Sequence, residues 1–209
     1  NLFVGYDERS AIQGTFTIPG KTRVIEDAPI GSTILTVDST VGFGTTGTVI
    51  TNGSDEICLA SESGKAIRFN ETDVRPMGRS TRGVKGMNIH KEDKVISIMK
   101  VIPEAKLLTI SQNGYGKRTN ISEFSGQKRG GKGVIALNTS QRNGKMIAAV
   151  QVIDGDEVML IGNRGTLIRT QVDQISVIGR NTQGVKVVST RDEESLVDAV
   201  GFKETLDEE

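Results

Sequence analysis

The chain repeats itself about every fifty residues, and that period restricts it to architectures built from one recurring module. Three segments align: DEICLASESGKAIRFNETDVRPMGRSTRGVKGM from Asp55, KLLTISQNGYGKRTNISEFSGQKRGGKGVIAL from Lys106, and DEVMLIGNRGTLIRTQVDQISVIGRNTQGVKVV from Asp156. Gly64, Gly114 and Gly165 fall at spacings of 50 and 51, as do Arg68, Arg118 and Arg169, and again Gly83, Gly133 and Gly184. Each unit opens with an apolar strand (ICLAS, LLTIS, VMLIG), turns on a Gly-containing dipeptide, and returns (KAIRF, YGKRT, TLIRT). That order predicts a β-hairpin. A loop ending in Gly-Val follows, then a further strand, DKVISIM, KMIAAV or ESLVDAV. Four short strands per period predict an all-β, propeller-like array of four-stranded blades, each hiding its apolar faces against its neighbours. No segment holds a 3.6-residue period for ten residues, which disfavours helical solenoids.

The register fails before about residue 52. Residues 1–53 are expected to be a β-hairpin-rich segment or a partial, diverged blade, with STILTVDSTVGFGTTGTVI a hairpin of its own. Residues 54–189 hold the three repeats, and 190–209 the last strand and an acidic tail. With 25 glycines, 35% hydrophobic residues and 4% aromatics among 209 residues, the composition suits a turn-rich β protein.

No apolar run is long enough to span a membrane as a helix, and no secretory leader opens the chain, which starts at Asn1 and is expected to be a fragment. The single cysteine, Cys58, lies in the apolar run ICLA and is expected to be a buried thiol, consistent with a reducing, cytoplasmic setting. The sequons at Asn52, Asn70, Asn120 and Asn138 therefore carry no weight. His90 is alone, without the cluster a metal site needs. Although 26 basic and 26 acidic residues cancel overall, residues 54–189 carry 21 and 13, and residues 190–209 carry 2 and 8. A body of net +8 with a tail of net −6 points to a polyanionic partner and an internal competitor for it.

The densest cationic point is GQKRGGKGV, residues 126–134. Gly126 to Lys132 fits GxxxxGK, but Gly133 stands where a nucleotide-binding P-loop needs a hydroxyl, and VIAL (134–137) reads as a strand where that loop needs a helix. A grip on a nucleic-acid backbone fits better: Lys128, Arg129 and Lys132 can neutralise phosphates, while the glycines let main-chain N–H groups approach. The aligned loops GRSTRG (78–83) and GRNTQG (179–184) place Arg79, Arg129 and Arg180 in one register, and Arg82, Lys132 and Gln183 in another. The competing reading is a set of solvated turns whose arginines cap carbonyls or pair with carboxylates.

These residues resemble a known family, the C-terminal domain of the bacterial DNA gyrase A subunit, part of a type IIA topoisomerase. Gln127, Lys128, Arg129, Gly130, Gly131, Lys132 and Gly133 are similar to its QRRGGKG box, and SQNGYGKRT (111–119), GTLIRTQVDQISVIGRNTQGV (165–185) and the terminal LDEE match as well. The resemblance covers about residues 54–209. It implies a β-pinwheel whose blades exchange a strand, and a rim that wraps double-stranded DNA so that the holoenzyme introduces negative supercoils using ATP. It implies DNA contacts at Gln127 through Gly133, at Arg79, Arg82 and Arg180, and more weakly at Arg68, Arg118 and Arg169, which could equally bridge blades. It implies no catalytic residue, metal or cofactor in this chain, ATP and Mg2+ being used elsewhere. The implied partners are the N-terminal domain of the gyrase A protein and the gyrase B protein in a heterotetramer, in the bacterial cytoplasm at the nucleoid, with no membrane or small-molecule substrate. Two other readings stand beside it: the related topoisomerase IV subunit, or a propeller-like interaction module without a DNA role. The sequence departs from the family in placing its box in the middle of three repeats rather than in the first of about six blades. Residues 1–53 do not match, and their hairpin loosely resembles repeats of phage structural proteins.

Overall fold

The computed structural model describes residues 2–7, 33–39, 47–75, 83–190 and 194–202. In chain order the strands are β1 (Leu2–Asp7), β2 (Thr33–Ser39), β3 (Gly47–Thr51), β4 (Glu56–Ser61), β5 (Lys65–Asn70), β6 (Val84–Lys85), β7 (Val95–Lys100), β8 (Lys106–Ser111), β9 (Tyr115–Asn120), β10 (Val134–Ile135), β11 (Met146–Val152), β12 (Glu157–Gly162), β13 (Leu167–Gln171), β14 (Val185–Lys186) and β15 (Leu196–Phe202). Single turns of 3-10 helix follow the returning strands at Glu71–Asp73, Ile121–Glu123 and Val172–Gln174.

The expected hairpins are present, with Leu59 opposite Ile67 and Leu108 opposite Arg118. The short strand after each Gly-Val behaves otherwise than a self-contained blade requires. The sheets run β3-β2-β1-β6, β10-β5-β4-β7, β11-β8-β9-β14 and β13-β12-β15, so every repeat gives its short strand to the blade before it. Val134 lies opposite Ala66, and Val185 opposite Gly116. Gly133 and Gly184 make the entry, at φ of 69° and 77°, where an L side chain is strained. A Cβ on Gly133 would stand 2.4 Å from the Ala66 carbonyl oxygen.

The hairpin glycines serve the same junction from the other side. Gly64 and Gly114 lie under the chain that follows each donated strand, where a Cβ would meet the Leu137 and Val188 carbonyl oxygens at 2.1 and 2.3 Å. Gly165, at the corresponding turn of the last blade, has nothing within 4 Å. There β13 receives no donated strand among the described residues, and Leu167 is 63% exposed.

Stacking of blades builds the core. Ile57 and Leu59 face one cluster with Ile67, Phe69 and Met87, while their neighbours Cys58 and Ala60 face the next, with Leu107, Phe124, Leu137 and Ala149. Leu108 and Ile110 turn to a third, with Val158, Leu160 and Val172. Because β4 and β8 are buried on both faces, they read as continuous apolar runs rather than alternating ones. Cys58 is buried and unpaired, and burial pushes its thiol up to about 12.

Residues 2–51 contribute β1, β2 and β3, the last two forming the expected hairpin with Thr33 opposite Thr51. This sheet runs in simple chain order, whereas each repeat places its first strand in the middle; it nonetheless accepts β6, with Val84 opposite Val4.

Candidate nucleic-acid interface

The loop from Gly126 to Gly133 lies along β5 and the segment after β6. Gln127 N donates to Arg68 O at 2.7 Å, Gly130 N to Gly86 O at 2.6 Å, and Asn88 N to Gly131 O at 2.8 Å. Ile67 forms its apolar floor: a Cβ on Gly131 would stand 3.3 Å from the Ile67 Cδ1. The glycines thus seat the loop on the preceding blade.

The three cations of the loop divide. Arg129 is partly buried, its Nε donating to Asp73 O at 2.7 Å and its guanidinium to Lys85 O at 3.2 Å. Lys128 and Lys132 are exposed, and neither makes a hydrogen bond or ion pair among the described residues. The anchoring half of this division recurs in the third repeat, where the Arg180 guanidinium reaches Ile135 O at 3.4 Å and its amide donates to Glu123 Oε2 at 3.1 Å. Ile135 and Lys85 are equivalent positions on donated strands. Arg79 and Arg82 lie outside the described residues.

Of the three arginines of the returning strands, Arg68 and Arg118 bridge blades, while Arg169 meets groups of its own sheet. Arg68 pairs with Glu56 and donates to Ile121 O at 3.2 Å. Arg118, only 6% exposed, donates to Ile175 O at 2.7 Å and pairs with Asp154 at 2.6 Å and Asp173 at 3.1 Å. Lys106 and Arg118 together hold the Asp154 carboxyl below its ordinary range, the hydrogen bond from Lys106 contributing most. Arg169 pairs with Glu157 and lies 5.3 Å from the centre of the Phe202 ring.

One residue of this region escaped the sequence reading. Lys117 is fully buried at the position of Ile67, and its ammonium donates to Gly179 O at 2.8 Å, Thr182 O at 3.2 Å, Thr182 Oγ1 at 3.0 Å and also Arg180 O. Burial lowers it to about 8, with Arg180 adding to the effect and Glu123 opposing it. The available signal was a lysine on a strand where both other repeats carry isoleucine.

Among the described residues no group of three His, Cys, Asp or Glu side chains could hold a metal, and no helix is long and apolar enough to cross a membrane. His90 is exposed. A strand, not a helix, follows Gly133, so the loop lacks the geometry of a nucleotide-binding P-loop.

These features define a strand-exchanged propeller array in which the inter-blade loop at residues 126–133 presents exposed cations. The family described as the DNA gyrase C-terminal domain, β-propeller, matches residues 55–102, 105–153 and 156–200, and the chain belongs to it. It is 43% identical over 190 residues to the DNA gyrase A subunit of Salmonella typhimurium, covering 90% of this chain and 22% of that protein. With the Pseudomonas aeruginosa DNA gyrase A subunit it shares 53% over 150 residues, 71% of this chain and 16% of that protein. The chain thus spans about a fifth of these relatives. A solved DNA gyrase A C-terminal domain superposes with a TM-score of 0.69 at 25% identity, over 96% of this chain and 65% of that one. The C-terminal domain of a DNA topoisomerase IV gives 0.77 at 20% identity, over 86% and 64%, a likeness of fold.

Proposed function

We propose that this chain is a non-catalytic, DNA-wrapping module of a gyrase A protein, supporting ATP-dependent negative supercoiling by a holoenzyme that contains that protein's N-terminal domain and the gyrase B protein. The observation that carries the reading is the split within residues 127–133: main chain and Arg129 anchor the loop, leaving Lys128 and Lys132 exposed. Anchored loops carrying free cations suit phosphate contacts, which position DNA without reading its sequence. Arg129 and Arg180 hold their loops in place, Arg68 and Arg118 hold blades together, and phosphate contact falls to Lys128, Lys132 and, on the aligned loop, Arg79 and Arg82. No cofactor is needed here; ATP and Mg2+ act elsewhere in the holoenzyme. Its setting is the bacterial cytoplasm.

Bending 20–30 base pairs by 40–90° costs about 1–6 kcal/mol, so wrapping needs several phosphate contacts. With 6–10 of them, affinity falls by about 10³–10⁵ between 50 and 200 mM salt. Replacing Lys128 and Lys132 by Gln should reduce the magnitude of the salt slope by about 2. Ligation of nicked plasmid on the chain should shift the linking number, and the double variant should shift it less. Retarded DNA with an unshifted linking number would favour the topoisomerase IV reading; salt-independent DNA binding would defeat both.

A further inference from the structure

The hairpin turn of the second blade carries a cluster that loop 126–133 does not include. Tyr115 opens β9, and Lys186, on the strand donated by the third repeat, lies directly opposite it. Arg142 comes from the loop before β11. Its guanidinium carbon lies 5.0 Å from the centre of the Tyr115 ring, and the Lys186 ammonium lies 4.9 Å from it. Arg142 Nε donates to the Tyr115 hydroxyl at 3.3 Å. Asn113 ties both arms to the turn: its carbonyl accepts from Lys186 Nζ at 2.9 Å, and its Nδ2 donates to Arg142 O at 3.0 Å.

We infer that Tyr115, Arg142 and Lys186 form a second phosphate-binding site for double-stranded DNA, assembled only when the third repeat's strand docks on the second blade. Two exposed cations gather on one half-buried ring, and neither pairs with a carboxylate among the described residues. Their mutual repulsion is offset in part by the ring face, and a phosphate would offset it further. The Tyr115 hydroxyl accepts from Arg142 and keeps its own proton to donate to a phosphate oxygen. The fold does not require the cluster. The equivalent positions of the first blade hold Lys65, Glu92 and Ile135, and that blade exchanges its strand all the same. The hydrogen bond from Arg142, with the charges of Arg142 and Lys186, also lowers the ionisation midpoint of the Tyr115 phenol.

The inference rests on the DNA-wrapping reading, and its test separates the two. Binding of the whole chain to a duplex of about 40 base pairs is measured against salt for the wild type, R142Q/K186Q and K128Q/K132Q. Loss of two phosphate contacts should lower the slope of R142Q/K186Q by about 2. In a Y6F background, Tyr115 is the sole tyrosine and there is no tryptophan. Inorganic tripolyphosphate should then raise the phenol's ionisation midpoint, followed by ultraviolet difference absorbance, because it neutralises the flanking cations. An unchanged slope for R142Q/K186Q beside a lowered slope for K128Q/K132Q overturns this site and leaves the wrapping reading standing. Slopes unchanged in both variants overturn the reading itself. A phenol midpoint indifferent to tripolyphosphate counts against the site even if the slope falls.

Discussion

Loop 126–133 and loop 179–184 do the same backbone task over different floors. The first crosses Ile67 and brings Gly130 and Gly131 close to the preceding chain. The second crosses Lys117 and turns the carbonyls of Gly179, Arg180 and Thr182 down onto its ammonium. Each loop sequence suits its floor: glycines permit close approach to an isoleucine, while carbonyls satisfy a buried lysine. The repeat therefore keeps a path for the chain rather than a set of contacts. Exposed lysines are carried where the path is held by backbone, glycine and the Arg129 guanidinium.

The sharpest break in that comparison is at the entry glycines, which both loops share. Gly133→Ala combines a positive φ with a Cβ 2.4 Å from a carbonyl oxygen, and should cost about 3 kcal/mol in urea unfolding. Gly165→Ala, at a φ of 84° with open space around it, should cost about 1 kcal/mol. Equal losses at the two sites would show that backbone conformation alone matters and that the exchanged strand does not. Next in size, Lys117→Met orphans several carbonyls and should cost about 2 kcal/mol at neutral pH. Ile67→Met, which preserves volume and chemistry, should cost less than about 1.5 kcal/mol.

Lys117 also gives the two floors different pH behaviour. Its folded value of about 8 lies below the unfolded value of about 10.4. Below pH 8 both states hold the proton and the group imposes no slope. Between about 8 and 10.4 the unfolded chain binds the proton and the folded one does not, so this residue's contribution to stability rises with pH across that window. It is fully present above the unfolded value and lost as pH falls through the folded one. Urea midpoints from pH 7 to 10 should show this rise in the wild type and lack it in Lys117→Met; parallel curves would place the lysine's titration outside the window.

Much of the fold was readable from local pattern, because hairpins are set by apolar runs and turn glycines a few residues apart. Which sheet the Gly-Val strand joins was not readable from local pattern; the exchange was expected only from the family resemblance, and the sheets bear it out. Val134 and Ile135 carry the same residues whether they pair within their own repeat or, as they do, with Ala66 and Lys65. The 3-10 turns were equally hidden, since long-range donors such as Arg68 and Arg118 reach the carbonyls of Ile121 and Ile175 at or just after them. At the candidate interface, sequence counted Arg129 and Arg180 as cations like any other. Only the folded chain shows their guanidinium groups spent partly on main-chain oxygens, and Lys117 buried among carbonyls instead of facing solvent.

The smallest predicted effects separate adjacent residues of one loop. Arg129→Gln removes donors to Asp73 O and Lys85 O and should destabilise the chain by about 1 kcal/mol. Lys128→Gln combined with Lys132→Gln removes two exposed, unpartnered charges and should stay within about 0.5 kcal/mol of the wild type. DNA affinity should order these variants the other way at low salt, the lysine pair losing more than the arginine. If the lysine pair destabilised the fold as much as Arg129→Gln, their charge would be serving the blade junction. The division of the loop into anchor and contact residues would then collapse.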